Sequence, residues 1–490
     1  MTAQLNTPTQ AFINGKYVDA ADGQTLDSFN PATGEILASV ADGGEADVAE
    51  AVRAARAAFD TGVWRDQSPA QRKAVLLRFA DLVESHTAEL AGLDSIDAGK
   101  PITDCIDGDL PDVVNTLRWY AEITDKTYGR IGPTGRENLA LIVREPVGVV
   151  AAVLPWNFPL AVLAWKIGPA LCTGNSVIVK PPEQAPLSTI RIAQLATEAG
   201  IPDGVFNVVP GRGEVAGRAL GLSRDVDAIA FTGSTAVGRQ FLRYSADSNL
   251  KSIGLECGGK SPQIVFADAG QDLTYVAGQL ANAAFWNTGQ NCTAGSRILV
   301  DAAIHSDLVQ ALTEVTSGLK VGSPADRDTN LGPMIEPSAM DRSLRYIGEA
   351  RGDGATVAFG GQRLLEDTGG WFVSPTILDN VTPAMAVARE EIFGPVTSVM
   401  TFTSEAEAIA LANQTDYGLS ASVFTRDLDR AHRLARAVRA GTVSVNCYGE
   451  GDITTPFGGY KMSGFGGHDK GIEALEQYSE AKTVWFALRG

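Results

Sequence analysis

Between residues 147 and 246 the chain alternates uniformly apolar runs with amphipathic ones. VGVVAAVLP, NSVIVKP, GVFNVVPG and DAIAFTG read as strands, and LAVLAWKIGPAL, STIRIAQLATEAG, EVAGRALGL and STAVGRQFLRYSA read as the helices between them. A strand apolar on both faces has to be covered on both faces. The repeated βα pattern therefore predicts a doubly wound, mostly parallel α/β sheet flanked by helices. Ligands of such sheets sit at the carboxyl ends of the strands, so a nucleotide-type fold is expected.

The rest of the chain is organised around this block. The first forty residues carry β-like segments punctuated by Asn14-Gly15 and Thr33-Gly34. In EADVAEAVRAARAAFD, Val48, Val52, Ala55 and Phe59 recur at helical spacing, and a second helix opens at Ser68-Pro69-Ala70-Gln71, a cap, an N1 proline and the partner of a capping box. A second α/β stretch follows Gly258-Gly259 to about residue 460, and EQYSEAKTVWFAL closes the chain with a β-like segment. At 490 residues, two or three domains are expected.

Composition excludes several classes. With 44% hydrophobic and 20% charged residues the chain is globular, not disordered. Its 40 Lys+Arg against 58 Asp+Glu give a formal charge of −18, which repels phosphate backbones and anionic lipid, so no nucleic-acid or membrane partner is expected. The longest apolar run, Val147 to Leu154, is eight residues, and a bilayer span needs ~20. No Lys or Arg precedes Lys16, and the opening lacks the basic and apolar regions of a signal peptide, so secretion is not expected. Cys105, Cys172, Cys257, Cys292 and Cys447 form no CxxC pair, and His86, His305, His432 and His468 lie far apart. No metal site and no Ser-His-Asp triad are expected, and a reducing cytoplasm is the expected compartment.

Five short segments carry candidate chemistry. Phe231-Thr232-Gly233-Ser234-Thr235-Ala236-Val237-Gly238 joins a strand to a helix, where backbone N–H groups favour a phosphate; its GxxxxG spacing also suits an ordinary turn. Lys180 and Glu183 in VIVKPPEQAP leave another strand, either to meet the hydroxyls of an adenosine ribose or as a solvated loop stiffened by Pro181 and Pro182. Cys292 sits in the polar, glycine-rich NTGQNCTAGSR, unlike most buried structural thiols. Glu256 in GLECGGK precedes two glycines where main chain can approach a ligand. Asn157 is held on a stiff turn between Pro155 and Pro159. Each taken alone also has an ordinary structural reading.

Taken together, VLPWNFP with AWKIGPAL, VIVKPPEQAP, AFTGSTAVG, GLECGGKSP, NTGQNCTAGSR, REEIFGP and PFGGYKMSGFG resemble, in order and spacing, the NAD(P)-dependent aldehyde dehydrogenase superfamily. The likeness runs from INGKYVDA to YSEAKTVW. It implies a Rossmann-like cofactor domain (1–124 and 147–258), an α/β catalytic domain (259–462) and a small β oligomerisation element (125–146 and 478–490). It implies Cys292 as nucleophile, Glu256 as general base and Asn157 as oxyanion donor, with Lys166 lining the region and favouring the thiolate. Trp156, Lys180, Glu183, Gly233 and Ser234 match cofactor contacts, and Glu391 and Phe393 match positions that hold the nicotinamide ribose and ring. A carboxylate at the ribose 2′-hydroxyl repels a 2′-phosphate, so Glu183 implies NAD in preference to NADP. One departure is Gly467-His468-Asp469 where many members read Gly-Arg-Glu, which puts a proton-relay role for Asp469 in doubt.

For the substrate, Phe158, Trp165 and Phe457 match aromatic positions of the family's tunnel; plain core packing is the other reading. Asp109 and Asp112 in DGDLPDVVNTLRWYAEITDKTYG stand at i, i+3, on one face if helical. They resemble an acidic pair of ω-aminoaldehyde dehydrogenases that meets the substrate's distal cation. LRWYAEITDKTYG, REPVGVVAAVLPWNFPL and NCYGEGDITTPFGGYKMSG are similar to gamma-glutamyl-gamma-aminobutyraldehyde and 4-guanidinobutyraldehyde dehydrogenases of polyamine and arginine catabolism. The two acids also suit a helix first turn beside Pro111. The resemblance implies oxidation of an ω-amino, guanidino or gamma-glutamylamino butyraldehyde to the acid, with NAD+ reduced, through a cysteine thiohemiacetal and thioester. The alternatives are a broad-specificity aliphatic or aromatic aldehyde dehydrogenase, an esterase using the same Cys/Glu pair without NAD, or a binding protein. KTVWFAL, an apolar β-edge, implies self-association as a homodimer or homotetramer.

Overall fold

The computed structural model of the protein describes residues 7–449 and 451–488. Its first sheet has eight strands in the spatial order Lys16–Val18, Ala11–Ile13, Phe206–Val208, Ser176–Lys180, Val149–Val153, Ala228–Thr232, Ser252–Glu256, Gly464–Phe465. The five from Phe206–Val208 to Ser252–Glu256 are parallel. Every residue of Val149–Val153 and Ser176–Lys180 is buried, as expected of strands covered on both faces. The chain first moves outward from Val149–Val153 and then returns to add Ala228–Thr232 on its other side. That reversal opens a crevice between the carboxyl ends of these two strands.

Local signals account for the elements that frame this sheet. Asn14 and Gly15, at φ 52° and 78°, form the two-residue turn between Ile13 and Lys16 that a tight hairpin requires. Ser68 caps Pro69–Ser85: its Oγ accepts from Gln71 N–H at 3.4 Å, and Gln71 Oε1 accepts from Ser68 N–H at 2.9 Å. The expected simple helix through Asp109 and Asp112 is interrupted. A π-helical turn, Cys105–Asp109, runs into the α-helix Leu110–Ile123. Pro111 has no N–H for the carbonyl four residues earlier, and the ladder shifts there, Leu110 N–H donating to Cys105 O.

A second sheet runs Thr356–Phe359, Thr376–Asp379, Val396–Phe402, Arg297–Asp301, Pro262–Val265, Ser420–Phe424, Thr442–Val445. Only its edge strand Thr356–Phe359 is antiparallel. Beyond Val445 the chain returns to the first sheet, where Gly464 pairs with Glu256 and Ser463 O accepts from Cys257 N–H at 2.8 Å. A third sheet pairs Ser479–Ala487 with Asn138–Pro146 along nine residues, with Arg130–Gly132 on the far side. Ile131 and Trp485 on its two outer strands are 72% and 59% exposed. Residues 489 and 490 lie outside the described residues. Among the described residues, no helix is long and apolar enough to cross a membrane.

Candidate active site

A continuous cavity of about 1350 Å³ lies between the first two sheets. Of the catalytic, cofactor and substrate residues that the resemblance implied, all but Lys166 line it. Its walls bring together strand ends of the first sheet, the loop before Cys292, the Glu391–Phe393 segment and the return segment after Val445.

Asn157 follows the apolar strand Val149–Val153, and its Nδ2 donates to Gln290 O at 2.9 Å. Its own backbone carbonyl accepts from Asn287 Nδ2 at 3.0 Å. These bonds hold a bend in which Asn287, Thr288 and Gly289 all have left-handed φ, at 49°, 57° and 67°. Two of the three carry side chains, and such a conformation persists only when its surroundings enforce it. Gly289 admits no side chain, since a Cβ would stand 2.3 Å from Gly394 O. The bend delivers Cys292, half-buried, to the cavity. Its neighbours are fixed by Tyr448, whose hydroxyl accepts from Asn291 Nδ2 at 2.8 Å and lies 2.8 Å from Thr293 Oγ1.

Glu256 ends the strand Ser252–Glu256, is 5% exposed, and its Oε2 has no hydrogen-bond partner among the described residues. Burial pushes its carboxyl well above the usual carboxylate range; the Asp469 charge pushes it further and Lys166 pulls it back. Lys166 departs from expectation. It lies behind the cavity wall, and its ammonium pairs with Asp469 Oδ2 at 3.1 Å, both side chains 2% exposed. Its charge is thus committed to the acid beside Glu256 and not aimed at the Cys292 thiol. Asp469, the shortened acid of the departing motif, itself lines the cavity.

Along one arm, Lys180 and Glu183 leave the strand Ser176–Lys180. Lys180 Nζ donates to Pro181 O at 2.9 Å and lies 3.9 Å from Glu183 Oε1, and burial lowers its ammonium to about 8. Glu183 accepts from Gly213 N–H. Ser234 caps the helix Thr235–Ala246, its Oγ accepting from Val237 N–H at 3.3 Å. In the GxxxxG segment, Gly238 serves packing, as a Cβ there would press on Cys257 Sγ at 3.2 Å and Leu255 at 3.3 Å. Gly217 lines the cavity, where a Cβ would fit at ordinary van der Waals distance from Phe241, 3.7 Å, and Lys180, 4.0 Å. A cavity lined by Gly213, Gly217 and Gly233, a helix N-terminus and a carboxylate at a strand exit fit a dinucleotide. Farther in, Glu391 accepts from Gly259 N–H at 3.0 Å and burial raises its carboxyl to about 7. Phe393 stacks edge-to-face on Trp156 at 5.2 Å. Gly258 and Gly259, expected to let main chain approach a ligand, also make room for protein: a Cβ would strike the Glu391 carboxylate at 2.0 Å and Cys292 O at 2.5 Å, respectively, and Gly258 lines the cavity.

The other arm is aromatic and charged. Trp165 and Phe457 pack at 5.2 Å, as do Phe158 and Trp286. Asp109 and Asp112 both reach this arm but differ in company. Asp112 is half-buried and accepts from Trp165 Nε1 at 2.9 Å. Asp109 is 5% exposed and forms an ion pair with the buried Lys100, whose Nζ sits 3.7 Å over the Phe158 ring. Tyr448, Asn291, Lys100, Trp286 and Lys470 were not anticipated. Tyr448 lies in NCYGEGD, a segment that carries the family likeness, yet nothing local marks its hydroxyl as the brace of the Cys292 loop.

Comparison with known proteins agrees with this geometry. The sequence profile of the aldehyde dehydrogenase family matches residues 17–484. The chain is 52% identical over 485 residues to an aminoacetaldehyde dehydrogenase of Pseudomonas aeruginosa, covering 99% of this chain and 97% of that one. It is 48% identical over 484 residues to the NADP/NAD-dependent aldehyde dehydrogenase PuuC of Escherichia coli, with coverage of 99% and 97%. The crystal structure of a gamma-glutamyl-gamma-aminobutyraldehyde dehydrogenase from Burkholderia cenocepacia superposes with a TM-score of 0.97 at 50% identity, covering 100% of this chain and 98% of that one. The chain therefore belongs to the aldehyde dehydrogenase family, oxidoreductases that act on aldehydes with NAD(P).

Proposed function

We propose that the protein oxidises an aldehyde with a distal amino, guanidino or gamma-glutamylamino group to its carboxylic acid, with NAD+ as acceptor. The observation that carries this reading is the convergence of Cys292, Asn157 and Glu256, from three separate segments, on one cavity whose far arm holds Asp112. The aminoaldehyde and gamma-glutamyl-aminobutyraldehyde dehydrogenases among its relatives point the same way.

The residues divide the work as follows. Cys292 thiolate adds to the carbonyl carbon, and the carbonyl π pair moves onto oxygen. Asn157 Nδ2 carries two hydrogens; one is given to Gln290 O, and the other is available for that oxyanion. Glu183, Ser234 and Glu391 would hold NAD(P)+, which would supply the acceptor for a hydride from the tetrahedral carbon and so leave Cys292 as a thioester. Glu256, ionised and with Oε2 unpartnered, takes a proton from water, whose oxygen attacks the thioester as Cys292 departs. A carboxyl held above its ordinary range by burial suits that role near neutral pH. The test is direct: acid and NADH should form in equal amounts from aminoaldehydes, and acid release from esters without any aldehyde oxidation would contradict the reading.

Glu183 sets the proposed preference for NAD, because its carboxylate accepts from a ribose 2′-hydroxyl and repels a 2′-phosphate. Glu183→Ser should narrow the NAD/NADP ratio of kcat/KM, whereas equal use of both cofactors by the unaltered enzyme would contradict the assignment. Ser479–Ala487 is proposed to join a neighbouring copy in a homodimer or homotetramer, since its outer edge and Trp485 are open. A stable monomer in light scattering at micromolar concentration would contradict that. Among the described residues no disulfide joins the five cysteines, which fits a reducing compartment, and the cytoplasm is proposed as its location.

A further inference from the structure

Lys470 has no part in the chemistry described so far. It follows Asp469 in a left-handed turn, with φ 58° at Lys470 and 62° at Gly471. That turn is clamped from both sides: Phe457 N–H donates to Asp469 O at 2.6 Å, and Gly471 N–H to Ile453 O at 2.9 Å. The side chain is therefore placed by backbone, and it lines the far arm of the cavity while being only 4% exposed. Its Nζ sits 4.3 Å above the Trp165 ring and 5.6 Å from the centre of Phe457.

Three other buried lysines beside this cavity have protein oxygens: Lys100 has Asp109, Lys166 has Asp469, and Lys180 has Pro181 O. Lys260, near Glu391, has no hydrogen-bond partner among the described residues, but it does not line the cavity as Lys470 does. Among the described residues, Lys470 Nζ has no carboxylate or carbonyl within hydrogen-bonding distance. The nearby Asp452 carboxylate is turned to Thr454, accepting from its N–H and its hydroxyl. Aromatic faces attract an ammonium but satisfy none of its three donors. A cation so placed, facing the cavity, is available to an anion delivered from the cavity itself. Asp112 meets the same indole at its Nε1 edge while Lys470 lies over its face, so one ring is flanked by both signs of charge.

We propose that Lys470 is a specificity-determining residue that binds a carboxylate at the far end of the aldehyde, so that with Asp112 the arm reads an ammonium–carboxylate pair. This rests on the aminoaldehyde reading for its ammonium half only. A lone ω-ammonium gains from Asp112 but is repelled by Lys470; a terminal α-amino acid group satisfies both.

The test compares kcat/KM of the unaltered enzyme, K470Q and K470R on four aldehydes: pentanal, 4-aminobutanal, 5-oxopentanoate and the gamma-glutamyl amide of 4-aminobutanal. K470Q should lose about tenfold or more on the two carboxylate-bearing aldehydes, mainly through KM, gain on 4-aminobutanal, and stay within about twofold on pentanal. K470R should keep most of the preference for the carboxylate. A loss shared equally by all four substrates would make Lys470 a structural support of Trp165 and Phe457 and overturn the proposal, as would carboxylate-bearing substrates unaffected by K470Q. Failure of the aminoaldehyde reading shows elsewhere, in an unaltered enzyme that prefers pentanal to both amino-bearing aldehydes, while the response of 5-oxopentanoate to K470Q still decides the role of Lys470.

Discussion

The two ends of the cavity are built on different principles. Around Cys292, polar groups are held by neutral hydrogen bonds and by backbone that tolerates no substitution, as at Gly289 and Gly259, and among the described residues the Glu256 carboxylate there keeps a buried oxygen without a hydrogen-bond partner. At the far end, charges of both signs lean on aromatic rings, and their availability depends on partners: Asp109 is matched by Lys100, whereas Asp112 meets only an indole N–H among its hydrogen bonds in the described residues. The lesson is that residue type dictates what the reactive end can do, while at the selective end pairing decides which charges remain for a substrate.

The largest effect that would break this contrast is at the nucleophile. Cys292→Ala should fold, since a methyl replaces a half-buried thiol, and should form no NADH above background; ordinary turnover would refute the assignment. Next is Asn157→Ala, which should cost about 2.7–4 kcal/mol of transition-state stabilisation, a hundredfold to a thousandfold in kcat. A loss under about tenfold would return Asn157 to the role of holding the Asn287–Gly289 bend. At the selective end, Asp112→Asn keeps an oxygen for Trp165 Nε1 but removes the charge, so kcat/KM for 4-aminobutanal should fall about tenfold with pentanal nearly unchanged. Asp109→Asn should do the reverse. It removes an acid from beside the buried Lys100 and should lower stability by about 1–3 kcal/mol with little change in selectivity. Equal responses from the two variants would erase the distinction between them.

The smallest effect concerns pH. Because the Asp469 charge raises the Glu256 carboxyl, Asp469→Asn should lower it, and the acid limb of the kcat–pH profile should move to lower pH. Lys166→Gln removes an opposing influence, and the limb should move to higher pH. Shifts in the opposite directions, in rates where hydrolysis of the thioester is limiting, would show that Glu256 does not feel this pair.

The sequence carried the first sheet well, because strands covered on both faces are apolar throughout, and a nearby helix announces itself with the Ser68 cap. The reactive residues were legible through motifs whose order is shared with a family. What stayed hidden was pairing across the chain. Lys166 and Asp469 stand 303 residues apart, and nothing local predicts that each takes the other's charge. The π-helical turn before Leu110 was also invisible, since Pro111, which follows it, reads equally as an ordinary N-terminal proline. Lys470 follows an acid that the motif marks, but only the left-handed turn after it directs the side chain over Trp165.

The central claim, that Cys292 forms the acyl-enzyme and Glu256 releases it, is tested most directly by rapid mixing of Glu256→Gln with NAD+ and a good aldehyde. Glutamine keeps the shape of the buried side chain but cannot take the proton. The account predicts a burst approaching one NADH per active site, followed by a slow steady rate and a thioester trapped on Cys292. A variant that shows no burst, with hydride transfer slowed as much as overall turnover, would contradict it.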